Sequence, residues 1–183
     1  MDISRRQFFR LRPADVLRET RRPPEESLPA PIRPPGALRP ETTFVSACTA
    51  ASGCNACIEA CPYDVIKALG PAWGDAEGTP YLEPATEPCR WCPSLDCIEA
   101  CDSGALAKPE TGPVPRIATL TLNLDECLNR QGTICSDCSD FCPTTVRAMT
   151  SRGREPILNP ETCVGCGLCV FHCDAPGPAL TLK

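Results

Sequence analysis

Aromatic side chains are scarce in this chain of 183 residues, which has five Phe, two Trp and two Tyr, together with two Met and a single His. A body so poor in large apolar groups is not expected to fold on burial alone, because small domains are marginal without a further staple. No apolar run approaches the ~18 residues of a membrane-spanning helix, so no transmembrane segment is expected. No glycine-rich nucleotide fingerprint is present, and neither a flavin nor a dinucleotide site is indicated. Acids are scattered without a paired constellation, which leaves no catalytic acid, base or nucleophile to assign. The chain is expected to be a carrier or accessory subunit and not an enzyme.

Charge of one sign is also missing where nucleic acid would need it. Residues 1–40 carry a formal +4 and residues 41–183 a formal −9, for −5 overall. An acidic body lacks the basic footprint of a nucleic-acid binder and suits docking to a basic patch on a redox partner protein. What the chain does have is 22 Pro, 12 Gly and 16 Cys, a loop-rich composition in which thiols take the place of a core.

The sixteen cysteines form four tetrads with none left over. Cys163, Cys166, Cys169 and Cys173 have the spacing C-x2-C-x2-C-x3-C, an iron-sulfur ligand run. Cys48, Cys54, Cys57 and Cys61 read C-x5-C-x2-C-x3-C, Cys89, Cys92, Cys97 and Cys101 read C-x2-C-x4-C-x3-C, and Cys127, Cys135, Cys138 and Cys142 read C-x7-C-x2-C-x3-C. The C-x3-C ending is constant while earlier gaps absorb insertions, so Cys48 and Cys127 are the ligands furthest from the regular pattern. Four [4Fe-4S] clusters are expected. Disulfides would suit this cysteine density in a small secreted protein, but paired bridges do not require such tetrads. Structural zinc uses two separated pairs to close one tetrahedron, and a thioredoxin-like C-x2-C would leave the other cysteines unexplained. If clusters are the core, their binding is folding, and the metal-free chain is expected to be largely unstructured.

The arm before the tetrads reads as a separate element. Ser4-Arg5-Arg6-Gln7-Phe8-Phe9-Arg10 looks like a twin-arginine export motif, but charges interrupt the following stretch where an apolar region of about 7 to 15 residues should stand. An unexported, cytoplasmic chain is expected. Phe8, Phe9, Leu11, Val16 and Leu17 amid arginines could form a partner-docking segment or a weak membrane-surface contact, with a disordered tail as the alternative. Seven prolines between Arg21 and Pro40 predict an extended linker.

Beyond the arm the chain repeats itself. Val65–Leu69 and Pro80–Glu83 bracket one hairpin, and Val146–Met149 and Pro156–Asn159 bracket another. Arg116–Leu122 and Ala179–Leu182 are predicted to pair as outer strands, as are Thr43-Phe44-Val45 and Ala105-Leu106-Ala107. Short helical turns should follow the third cysteine of each tetrad, for instance through Ile58-Glu59-Ala60. The boundary between repeats falls near Pro109–Pro115. The prediction is an α+β, loop-rich chain: a basic arm at 1–40, one module at 41–112 and a second at 113–183. His172 and Trp91, inside tetrads that are already complete, are expected to pack near clusters without ligating them.

This pattern resembles the bacterial two-cluster [4Fe-4S] ferredoxin fold, present twice in tandem. In that family the first three cysteines of a tetrad hold one cluster and the fourth holds the neighbouring one. The resemblance implies four ligand sets: Cys48, Cys54, Cys57 and Cys101; Cys89, Cys92, Cys97 and Cys61; Cys127, Cys135, Cys138 and Cys173; and Cys163, Cys166, Cys169 and Cys142. A nested pairing, first tetrad with fourth and second with third, is the alternative. The Arg-Arg-bearing start and the long first gap of the third tetrad further resemble the NapF ferredoxin-type proteins that accompany periplasmic nitrate reductase. That likeness implies a cytoplasmic accessory or maturation partner of a molybdenum-containing catalytic subunit. Two alternatives stand beside it: an electron-transfer subunit of a quinol-oxidising or other oxidoreductase complex, similar to NapG or MauM, and an assembly chaperone with structural clusters.

Overall fold

Both expected hairpins form. A computed structural model of the chain describes residues 29–51, 53–108, 110 and 116–183. In it β1 (Ile66–Ala68) pairs antiparallel with β2 (Pro80–Leu82), Ile66 opposite Leu82. Outer strand β3 (Leu120–Leu122) pairs with β6 (Leu180–Leu182), as the alternation predicted, and β4 (Met149–Arg152) pairs with β5 (Glu155–Leu158). The result is a loop-rich α+β fold of three two-stranded sheets and short helices. The twin-arginine motif, the apolar arginine-flanked segment and nearly all of the Pro109–Pro115 boundary lie outside the described residues. No described helix is long and apolar enough to cross a membrane.

Helix α1 (Glu41–Thr49) corrects one pairing. Thr43, Phe44 and Val45 were expected to be a strand opposite Ala105–Ala107, because β-branched residues favour strands. They are helical instead. Glu41 lies in the first turn, where an acidic side chain suits the helix dipole, and Phe44 is fully buried as the helix's anchor. Ala105–Ala107 pair with an earlier segment: Leu38 N–H donates to Ala105 O at 3.0 Å and Ala107 N–H to Gly36 O at 2.9 Å.

That segment was expected to be linker, and its C-terminal part is a packed wall. Ile32 bridges to Leu82 and Ala37 to Leu106, so residues 32–38 lie along the first half. Pro34 and Pro35 are fully buried. Proline favours the extended backbone seen here, and the ladder bonds fall on its non-proline neighbours. Gly36 has φ +77°, and a Cβ there would come within 2.7 Å of Ala107 O and of Ile98 Cδ1. Only glycine allows this approach.

Four further helices share one design. Ala56–Glu59 (α2), Asp96–Glu99 (α3), Asp137–Asp140 (α4) and Leu168–Phe171 (α5) each carry the third cysteine of a tetrad as their second residue. They thus begin just before that cysteine and not after it. The fourth cysteine follows about one turn later, where its side chain leaves the helix further along the axis. Helices α2 and α3 pack together, as do α4 and α5.

The core is as thin as the composition implies, and thiols fill it. One cluster joins Phe44, Ile66, Leu82, Ile98 and Leu106 to Cys57, Cys61, Cys89 and Cys97, and extends to Ile117, Ala118, Cys166 and Leu168. A smaller one gathers Leu120, Met149, Leu180 and Cys169.

Candidate iron-sulfur sites

Three concavities in the fold are each lined by four cysteines. The first, with about 350 Å³ of empty space, is walled by Cys61, Cys89, Cys92 and Cys97 with Val65, Ile66 and Leu82. The second, about 310 Å³, is walled by Cys142, Cys163, Cys166 and Cys169 with Leu120, Ala148 and Leu168. The third, about 380 Å³, is walled by Cys127, Cys135, Cys138 and Cys173 with Leu122, Ala179 and Leu180. Each takes three cysteines from one tetrad and one from the other tetrad of the same half.

The remaining four thiols also gather. Burial, helped by the nearby Cys48, Cys101, Cys97 and Cys54, raises the Cys57 thiol to about 12. Burial likewise raises Cys48, helped by Cys101 and Cys54 and opposed by the Arg33 charge. Cys48 and Cys127, across their long gaps, thus lie beside the thiols of their own groups.

None of the sixteen cysteines is in a disulfide. Among the described residues no three His, Cys, Asp or Glu side chains converge on a point as a single ion would require. A tetrahedral zinc site needs four ligands within about 2.3 Å of one centre. Thiols spread around an apolar hollow suit a multi-atom cluster better, and so does the chemistry of an all-cysteine donor set.

Backbone amides point at several sulfurs. Trp91 N–H donates to Cys89 Sγ at 3.4 Å, Leu106 N–H to Cys101 Sγ at 3.3 Å, and Met149 N–H to Cys142 Sγ at 3.4 Å. Such bonds stabilise extra negative charge on the ligand set and so raise its reduction potential. Trp91 contributes through its backbone, held at φ +48°. The ring of His172 stacks on Phe141 at 3.4 Å and meets Phe171 edge-on at 5.0 Å. Its Nε2 is buried without a hydrogen-bond partner. The histidine is packed among aromatics at the end of the third and fourth tetrads.

Burial raises the thiols Cys89 and Cys169 to about 12 and Cys97, Cys138 and Cys166 to about 11. Raised in the folded chain, these groups favour the fold while protonated, and that contribution is lost as pH climbs from the ordinary thiol range through 11–12. Cluster ligands must be thiolates, so loading displaces protons. Cluster reassembly on metal-free protein should therefore strengthen steadily from pH 7 to pH 9, and acidification should release iron. Iron and sulfide retained after desalting at each pH would check this; a flat profile would contradict it.

Arg33 is the neighbour that sequence reasoning missed. It is 1% exposed yet charged, and nothing local marks an arginine for burial. Its guanidinium donates to Glu41 Oε1 at 2.6 and 2.9 Å, to Thr79 Oγ1 at 2.9 Å and to Pro80 O at 2.7 Å, with the Phe44 ring 4.6 Å away.

No family profile matches the chain. Individual proteins do. The methylamine utilization ferredoxin-type protein MauM of Methylophilus methylotrophus is 37% identical over 168 residues, covering 82% of this chain and 70% of that protein. The ferredoxin-type protein NapG of Escherichia coli K12 is 35% identical over 162 residues, covering 81% and 68%. The ferredoxin-type protein NapF of the same organism is 31% identical over 156 residues, covering 83% and 84%. The expected NapF likeness is thus the weaker one, and the alternative resemblance to NapG and MauM is nearer. Ferredoxin-type proteins carry electrons on iron-sulfur clusters and are not enzymes.

Proposed function

The chain belongs to the ferredoxin-type proteins that include MauM and NapG, and on that premise we propose that it is an electron-transfer subunit with four [4Fe-4S] clusters, passing single electrons between partner subunits of an oxidoreductase. The four ligand sets are Cys48/Cys54/Cys57/Cys101, Cys61/Cys89/Cys92/Cys97, Cys127/Cys135/Cys138/Cys173 and Cys142/Cys163/Cys166/Cys169. The observation that carries this is the lining of the hollows, in which three cysteines of one tetrad meet the last cysteine of its neighbour. The NapF-like cytoplasmic accessory role has less support, since it rested on the weaker likeness.

When bound, each cluster accepts and releases one electron without proton chemistry. The chain's residues do the rest. Cysteine thiolates hold the iron, and apolar walls such as Ile66, Leu82, Leu120 and Leu180 keep water from the sulfurs. The amides of Trp91, Leu106 and Met149 stabilise the added charge. Arg33 places a fixed positive charge near the Cys48 thiol.

Full-length protein purified without oxygen should carry about 16 iron and 16 acid-labile sulfide per chain, four cubanes' worth. Reduction should bleach its visible absorption and produce EPR signals, and redox titration should show reversible steps. Zinc in place of iron would overturn the cluster assignment. Clusters silent across the accessible potential range would leave only a structural role.

A further inference from the structure

The fourth tetrad, last in the chain, lies against the second and not at the far end of the molecule. Cys89 N–H donates to Cys166 O at 3.1 Å, a direct backbone bond between ligands of two sites in different halves. Gly167, next to Cys166, has φ +88°, and any Cβ there would collide with Pro84. Pro84 is buried, and the glycine lets the fourth tetrad's backbone rest on it. One apolar core runs across the contact, joining Cys61, Cys89 and Cys97 to Cys166 and Leu168. Within the halves, the helices that carry Cys57 and Cys97 pack together, as do those that carry Cys138 and Cys169.

Building on the function proposed above, we propose that electrons cross between the halves at the Cys89–Cys166 contact, so that the sites work in single file, with the order Cys48 set, Cys61 set, Cys142 set, Cys127 set. Each crossing moves one electron: the Cys61 set is oxidised by one as the Cys142 set is reduced by one, or the reverse. No bond or proton changes. The electron donor and acceptor are one-electron carrier proteins at the two ends. Spatial order therefore departs from chain order, because the third and fourth tetrads exchange places. The Cys48 set is one terminus, and Cys54 there is exposed. The Cys127 set is the other.

The test is EPR spectroscopy of fully reduced, full-length holoprotein, with wild type beside Pro84→Trp, a substitution that wedges the contact and touches no ligand. The expected result is unchanged iron and sulfide with loss of the dipolar broadening that links the two halves. Identical broadening in both proteins would overturn the junction. If Pro84→Trp loses iron, a second measurement decides: Cys89→Ser, which alters one ligand, should change the splitting of the Cys142-set signal across the contact. A Cys142-set signal unaffected by Cys89→Ser would overturn the single-file order. A wild type with no iron-sulfur signal at all would instead overturn the function on which the order rests.

Discussion

Replacing both Cys57 and Cys101 by alanine is expected to remove about four iron per chain, no more than either replacement alone, whereas replacing Cys97 and Cys101 should remove about eight. Cys101 stands with the first tetrad's thiols, where it adds to the raised values of Cys48 and Cys57. Cys97 lines a different hollow. Two ligands of one site cannot lose that site twice, so the iron counts report which cysteines act together. If each tetrad held its own cluster, the two double variants would exchange results. If tetrads paired in nested fashion, both would lose about eight. Iron and sulfide assays on anaerobically purified protein, with EPR to exclude three-iron forms, separate the three outcomes. The reciprocal pair follows the same logic: Cys61 with Cys92 should behave as one site, Cys61 with Cys57 as two.

Arg33→Met is expected to cost about 2–4 kcal/mol, the sum of lost charge-assisted hydrogen bonds and imperfect repacking. Four donor contacts disappear together, and Pro80 O and Thr79 Oγ1 lose their guanidinium partner inside the fold. Glu41, at 40% exposure, can turn to solvent, so the penalty of a stranded buried carboxylate does not apply. The unfolding midpoint of the holoprotein should fall by roughly 5–15 °C. Arg33→Lys should recover part of the loss, since an ammonium can reach one acceptor but not the forked set. A second readout moves in a defined direction. Removing a positive charge near Cys48 makes electron addition harder, so the potential of the Cys48 set should fall. A midpoint within 1–2 °C of wild type would show that the segment is held by its prolines alone.

The four cysteine tetrads were legible in the sequence because spacing survives without any knowledge of the fold, and the fold gathers their thiols around shared hollows. The hairpins were legible for a related reason: Val65–Leu69 and Pro80–Glu83 are short apolar runs bounded by turn residues. Thr43–Val45 misled because β-branched composition is a weak prior, and burial of Phe44 in a helix outweighed it. The Pro-rich stretch misled in the opposite way. Proline density reports an extended backbone but does not say whether that backbone is solvated, and here residues 32–38 found an edge to cover. Arg33 and the Cys89–Cys166 contact left no local signal at all. Thr79 and Pro80 lie 46 and 47 positions from Arg33, Cys166 belongs to a different tetrad from Cys89, and such pairings are set by three-dimensional packing.

The crosswise lining of the hollows also bears on how the protein is made. Under that pairing, a chain emerging from the ribosome cannot close its first site until Cys101 has appeared, although Cys48, Cys54 and Cys57 were synthesised some fifty residues earlier. Both sites of the first half then complete almost together, while the third and fourth tetrads are still unmade. The wall that Cys166 and Leu168 provide comes only with the fourth tetrad. Until then the core around Cys89 lacks that side, so the interval before Cys166 and Leu168 appear is the one in which oxygen has its best access to a newly formed cluster.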